Sequence, residues 1–124
     1  MAYLTDRKRA AGLGASGGGT EHHWNTTVSS FALLILVPLF VIVIGHGLGM
    51  PYLEARAYFG RPFPAVVAAL TFVVGLVHFR QGFQVLVEDY ARGHARQFLI
   101  IAGTCLSYAL IGAALWAIVR LALI

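Results

Sequence analysis

One segment of this 124-residue chain gathers the side chains that could do chemistry: His78-Phe-Arg-Gln-Gly82-Phe-Gln-Val-Leu-Val-Glu-Asp89-Tyr90. It continues an apolar run from Ala65 to Val77. An ionisable group inside a bilayer costs on the order of 2.5–3.5 kcal/mol at mid-span, so such groups face a bundle interior or water and are functional candidates. Helical geometry sorts them. At about 100° per residue, His78 shares a face with Gly75, Gly82 and Asp89. The imidazole is bracketed one turn above and one turn below by residues with no side chain. That leaves a flat slot, which a porphyrin plane ligated by the imidazole would need. The same two glycines equally allow close helix packing, with His78 hydrogen-bonding across helices.

Asp89 and Tyr90 fall 11 and 12 residues further on, Tyr90 about 18 Å along the helix axis from His78. A tyrosine at a membrane interface is usually an anchor. Beside a carboxylate it can also donate a hydrogen bond to a lipid-soluble carbonyl ligand, with the Asp orienting it. Arg80 and Gln84 lie on a different face; Arg80 is expected to snorkel to the interface or to pair within an assembly. The remaining histidines carry less signal. His22 and His23 precede the first span beside an interfacial Trp24, His46 sits in a Gly-His-Gly turn, and His94 lies in a basic loop. No His, Cys or carboxylate spacing forms a zinc site, and no nucleophile–base pair is present. The single Cys105 excludes an internal disulfide. The stretch Gly12 to Thr20 lacks the Gly-Lys-Ser/Thr ending of a phosphate loop and reads as a flexible approach to the membrane.

The elements that must hold these groups are membrane helices. The chain is 59% hydrophobic and 11% charged, with a mean hydropathy of +0.78, against about 25% charge in soluble domains. Its apolar residues fall in three blocks, predicting an all-α membrane protein with spans at about 28–45, 63–90 and 98–118. Residues 1–27 form a polar, glycine-rich leader with no apolar h-region, so the N-terminus is expected to stay on the side of synthesis. Pro38 is expected to kink the first span, and Gly45, Gly47 and Gly49 to end it. Residues 48–61 read as a short loop closed by Pro62 and Pro64, which suit a helix's first turn. Gly93 reads as the stop of the second span. Spans one and three are otherwise nearly featureless. Arg7, Lys8, Arg9, Arg92 and Arg96 lie on one side of the membrane and Arg56, Arg61 and Arg120 on the other. That bias predicts a cytoplasmic N-terminus and an external C-terminus. The net charge of +4 forms no dense patch, so it points to lipid headgroups and not to nucleic acid.

A Gly-Thr-x-His-His-Trp element (Gly19 to Trp24), three spans, and His-x3-Gly-x6-Asp-Tyr on span two together resemble the small hydrophobic membrane anchor subunits of succinate dehydrogenase, respiratory complex II. The layout covers almost the whole chain, and the specific part is His78 to Tyr90. The resemblance implies that His78 is an axial ligand to the iron of a b-type haem shared with a partner cytochrome b subunit. It implies that Tyr90 hydrogen-bonds a ubiquinone carbonyl and that Asp89 is its neighbour at that site. It also implies that the flavoprotein and iron–sulfur subunits dock on the cytoplasmic side of a bacterial inner membrane, and that the C-terminus is periplasmic. One departure stands out. Family members often carry an Arg near the haem propionates, where this chain has Asn25-Thr26-Thr27, which leaves His22 or His23 as substitutes.

The residues agree with that resemblance on their own terms. Three helices have too little surface to enclose a haem, and a single intramembrane His requires the second axial ligand from elsewhere. Two rival readings remain. One is a non-redox transporter or assembly subunit in which His78, Arg80 and Asp89 form a proton or ion path; a reduced b-type absorbance band separates it. The other is the anchor of a fumarate reductase, separated by the direction of catalysis.

Overall fold

A backbone in hydrocarbon must satisfy its own hydrogen bonds, so each apolar block has to be helical. The computed structural model describes residues 3, 5–12 and 19–124; the glycine-rich stretch 13–18 lies outside the described residues. Five helices follow in order: α1 (Asp6–Ala11), α2 (Gly19–Gly47), α3 (Tyr52–Phe59), α4 (Pro62–Tyr90) and α5 (Gly93–Leu123). Three of them, α2, α4 and α5, are long and apolar enough to cross a membrane. The fold class read from the sequence is the one observed.

The helices outrun the apolar blocks at several ends. α2 has 29 residues, about 43 Å of helix, against a hydrocarbon core of about 30 Å. It starts at Gly19, so the last third of the leader, residues 19–27, is helical. Its polar residues stay in the helix by bonding backward. The hydroxyls of Thr26, Thr27 and Ser30 donate to the carbonyls of His22, His23 and Thr26 at 2.9, 2.9 and 2.8 Å. α2 remains one helix through Pro38 and ends at Gly47. α5 begins at Gly93, five residues before the expected Phe98, so the basic loop is mostly the first turns of a helix. α4 closes at Ala91, and Gly93, with φ +64°, opens α5 instead of stopping α4. Hydropathy registers the part of a helix that lies in lipid; the polar turns beyond it carry no such signal.

The expected loop 48–61 contains the short helix α3. Pro51 precedes it, and the Tyr58 hydroxyl donates to the Val43 carbonyl of α2 at 3.1 Å. Gly60, just after α3, lies so close to α5 that a Cβ there would stand 2.6 Å from the Leu121 carbonyl oxygen. α3, too short at eight residues to cross a membrane, therefore caps the C-terminal ends of α2 and α5.

α4 is the central element. It packs against both α2 and α5, while the backbones of those two do not approach each other among the described residues. The interior is small: Val43, Val67, Ala68 and Val87, with Ser29, Gln81 and Ser107. No more than 11% of each apolar window is buried within the chain, and Phe31, Ile42 and Trp116 are about two-thirds exposed, at 66%, 67% and 69%. Those faces need lipid or another membrane subunit to cover them. At the α4–α5 contact, a Cβ on Gly103 would run into the Phe83 ring. Gly103→Leu is therefore expected to cost about 1–3 kcal/mol by overpacking. A lowered midpoint of thermal unfolding of the purified assembly would register it; an unchanged midpoint would mean that Phe83 swings aside freely.

Candidate functional site

His78 lies near the middle of α4, half-buried against α2. Its Nδ1 is 2.8 Å from the hydroxyl of Ser29 on α2. Ser29 in turn donates to the Thr26 carbonyl at 2.9 Å and lies 3.4 Å from Oε1 of Gln81. Gln81 follows His78 by three residues, so it shares the same side of α4. Ser29 and Gln81 are 8% and 7% exposed. A polar cluster of Ser, His and Gln thus sits inside an otherwise apolar helix pair, with its partners supplied, as burial requires. One ring nitrogen of His78 is engaged, and Nε2 has no protein partner among the described residues.

The two bracketing glycines do different work. A Cβ on Gly75 would meet Leu33 of α2 at 3.8 Å, an ordinary packing contact. A Cβ on Gly82 would meet nothing within 4 Å. Gly75 therefore serves helix packing, and Gly82 leaves open space one turn from the imidazole.

Asp89 and Tyr90 end α4, exposed, with Tyr90 at 83%. Among the described residues no hydrogen bond joins them, and successive positions differ by about 100° around the helix. The structure keeps them away from His78, so the chain presents two separate sites. Gln84 donates to Glu88 at 3.0 Å, and Arg96 of α5 lies 4.0 Å from the same carboxylate; together they tie the C-terminal end of α4 to the N-terminal end of α5.

Arg80 does not snorkel freely. Its guanidinium lies over the Tyr108 ring of α5 at 5.8 Å, and its buried Nε has no partner. It lines a cleft of about 420 Å³ with Asn25, Ser29, Val77 and Gln81. His22 is half-buried and His23 exposed. His46 stacks at a tilt on Tyr58, 5.0 Å between ring centres, which makes it part of the α3 cap. Among the described residues no three His, Cys, Asp or Glu side chains converge on a point. A metal held by His78 would need its other ligands from outside this chain.

Ser29 and Gln81 are the site residues that sequence reasoning passed over. Gln81 was findable, being one turn from His78. Ser29 lies 49 residues away, and nothing in hydropathy fixes which face of α2 meets α4.

The family model described as succinate dehydrogenase/fumarate reductase transmembrane subunit matches residues 1–121. The succinate dehydrogenase hydrophobic membrane anchor subunit of Paracoccus denitrificans is 46% identical over 123 residues, covering 99% of this chain and 95% of the relative. No solved structure matches the chain.

Proposed function

Because the chain belongs to the succinate dehydrogenase/fumarate reductase transmembrane subunit family, we propose that His78 is an axial ligand of a haem b it shares with a partner subunit, and that Tyr90, with Asp89, meets the quinone. The chain is a multi-pass membrane protein and a membrane anchor subunit of a succinate dehydrogenase. The observation that carries the haem reading is the pairing of an engaged Nδ1 with open space at Gly82. A ligating histidine typically donates its other ring N–H to an acceptor, which fixes its orientation. The exposed face of α4 beside Gly82 gives a flat macrocycle room, and a neighbouring cytochrome b subunit would supply the second axial ligand and cover the group. A haem bound there supplies a one-electron relay within the membrane.

This chain's own residues do the rest. Near Asn25, where the family pattern places an Arg, Arg80 lines the same cleft with an unpaired Nε. It is the cation this chain offers there for a propionate carboxylate. Tyr90, at the end of α4, offers a phenol donor at the membrane surface, where ubiquinone would enter from the bilayer. The basic residues of α1 and of the α4–α5 corner form the face on which the iron–sulfur and flavoprotein subunits dock. The non-redox alternative fares worse. His78 is engaged with Ser29 and Arg80 lies over the Tyr108 ring, while Asp89 is exposed at the end of α4, and no hydrogen bond among the described residues links the three.

The five-to-three distribution of basic residues supports a cytoplasmic N-terminus and an external C-terminus, and the family reading makes the membrane a bacterial inner membrane with the C-terminus periplasmic. Reporter fusions at the two ends should give opposite signals, cytoplasmic for the N-terminal one. Signals from the same side would contradict three crossings. The functional reading is tested by purifying the assembly through a tag on this chain and identifying its partners by mass spectrometry. A flavoprotein, an iron–sulfur protein and a second small membrane protein should appear together; a lone chain in well-preserved membranes would count against it.

A further inference from the structure

If His78 is a haem ligand, as proposed above, the hydrogen bonds around it also set the state of its ring. A neutral imidazole carries its proton on one ring nitrogen and a lone pair on the other, and the partner of one nitrogen decides which form is present. Ser29 has a single hydroxyl proton. Two oxygen acceptors stand within reach of it, the Thr26 carbonyl at 2.9 Å and Gln81 Oε1 at 3.4 Å. Back-bonding to a carbonyl in the preceding turn is what the neighbouring Thr27 and Ser30 hydroxyls do. With the Ser29 proton so placed, the 2.8 Å contact to His78 Nδ1 needs the proton to come from the imidazole. Nε2 then carries the bare lone pair.

We propose that Ser29 is a positioning residue for the haem ligand: its hydroxyl on α2 accepts from Nδ1–H of His78 on α4, fixes the ring plane, and tunes the donor strength of Nε2. The site suits that role. Ser29 is 8% exposed and Gln81 7%, so little water competes for the bond. Gln81 stands against the hydroxyl on the far side and limits its rotation. Withdrawing part of the Nδ1 proton makes Nε2 a better electron donor, which favours the more highly charged ferric iron and lowers the reduction potential. The packing of α2 on α4 thereby sets an electronic property of the site.

The test compares Ser29→Ala, Ser29→Thr and His78→Ala in the intact membrane complex. It reads the haem midpoint potential and the low-spin ferric electron paramagnetic resonance signal. Succinate oxidation with a soluble dye controls for assembly. Ser29→Ala should raise the potential by roughly the equivalent of a tenfold change in ferric over ferrous preference, about 59 mV for one electron, and shift the ferric signal. Ser29→Thr keeps the hydroxyl and should restore both. If the Ala variant does not assemble, Ser29→Cys, a far weaker acceptor of similar size, should move the potential in the same direction. An unmoved potential in Ala or Cys, or a Thr variant that shifts as far as Ala, overturns the assignment of Ser29. His78→Ala separates this from the underlying reading. Loss of the haem band there with silent Ser29 variants sinks the positioning role alone, whereas a normal band in His78→Ala removes the ligand itself.

Discussion

Tyr90→Phe is expected to lower succinate-to-quinone activity by tenfold or more while leaving succinate oxidation by a soluble dye nearly normal. The ring, its packing and its interfacial position are kept; only the hydroxyl is lost. Reduction of a quinone builds negative charge on its oxygens, and a phenol donor at hydrogen-bonding distance stabilises that charge. Donors in closed oxyanion holes supply roughly 2.7–4 kcal/mol. A smaller effect, about 1.4 kcal/mol or a factor of ten, is the floor here, because Tyr90 is 83% exposed in the isolated chain and depends on neighbouring subunits to exclude water. The dye takes electrons before they reach the membrane, so it reports on the soluble subunits. Parallel loss of both activities would indicate failed assembly. Retention of both would leave Tyr90 as an interfacial anchor.

The second large effect is at His78. His78→Ala should remove or strongly alter the b-type absorbance of the assembled complex, because the imidazole that would hold the iron is gone and no other histidine on α4 can replace it. Removing the ring also strands the Ser29 hydroxyl next to a void, so some loss of thermal stability accompanies the loss of haem. His46→Ala is the matched control. His46 lies against Tyr58 in the α3 cap, and its removal should leave the spectrum unchanged. The reverse pattern would move the ligand to His46 and leave the family membership untouched.

How much of this was legible in the sequence depends on range. The register of His78, Gly82 and Gly75 follows from a rotation of about 100° per residue, so the bracket could be drawn before any coordinates. That Gly75 contacts Leu33 while Gly82 faces open space could not, because it depends on which side α2 takes. Ser29 is the sharpest case. A serine in a membrane helix commonly bonds back to its own preceding turn, so its type gives no hint of a partner 49 residues away. Arg80 was expected to snorkel or to pair within an assembly; its place over the Tyr108 ring depends on how α5 packs on α4, which the sequence around Arg80 does not show. α3 was missed because eight mixed residues between two apolar blocks give no usable periodicity. The helices α2 and α5 extend beyond the apolar blocks that hydropathy marks, because their end turns are polar and carry no hydropathy signal.

The central claim is that this anchor shares a haem through His78, and the dithionite-reduced optical spectrum of the purified complex tests it most directly. The expected result is a b-type band with a haem for each copy of this chain, in a preparation that also contains the flavoprotein and iron–sulfur subunits. A fully assembled, active complex with no b-type absorbance would contradict it.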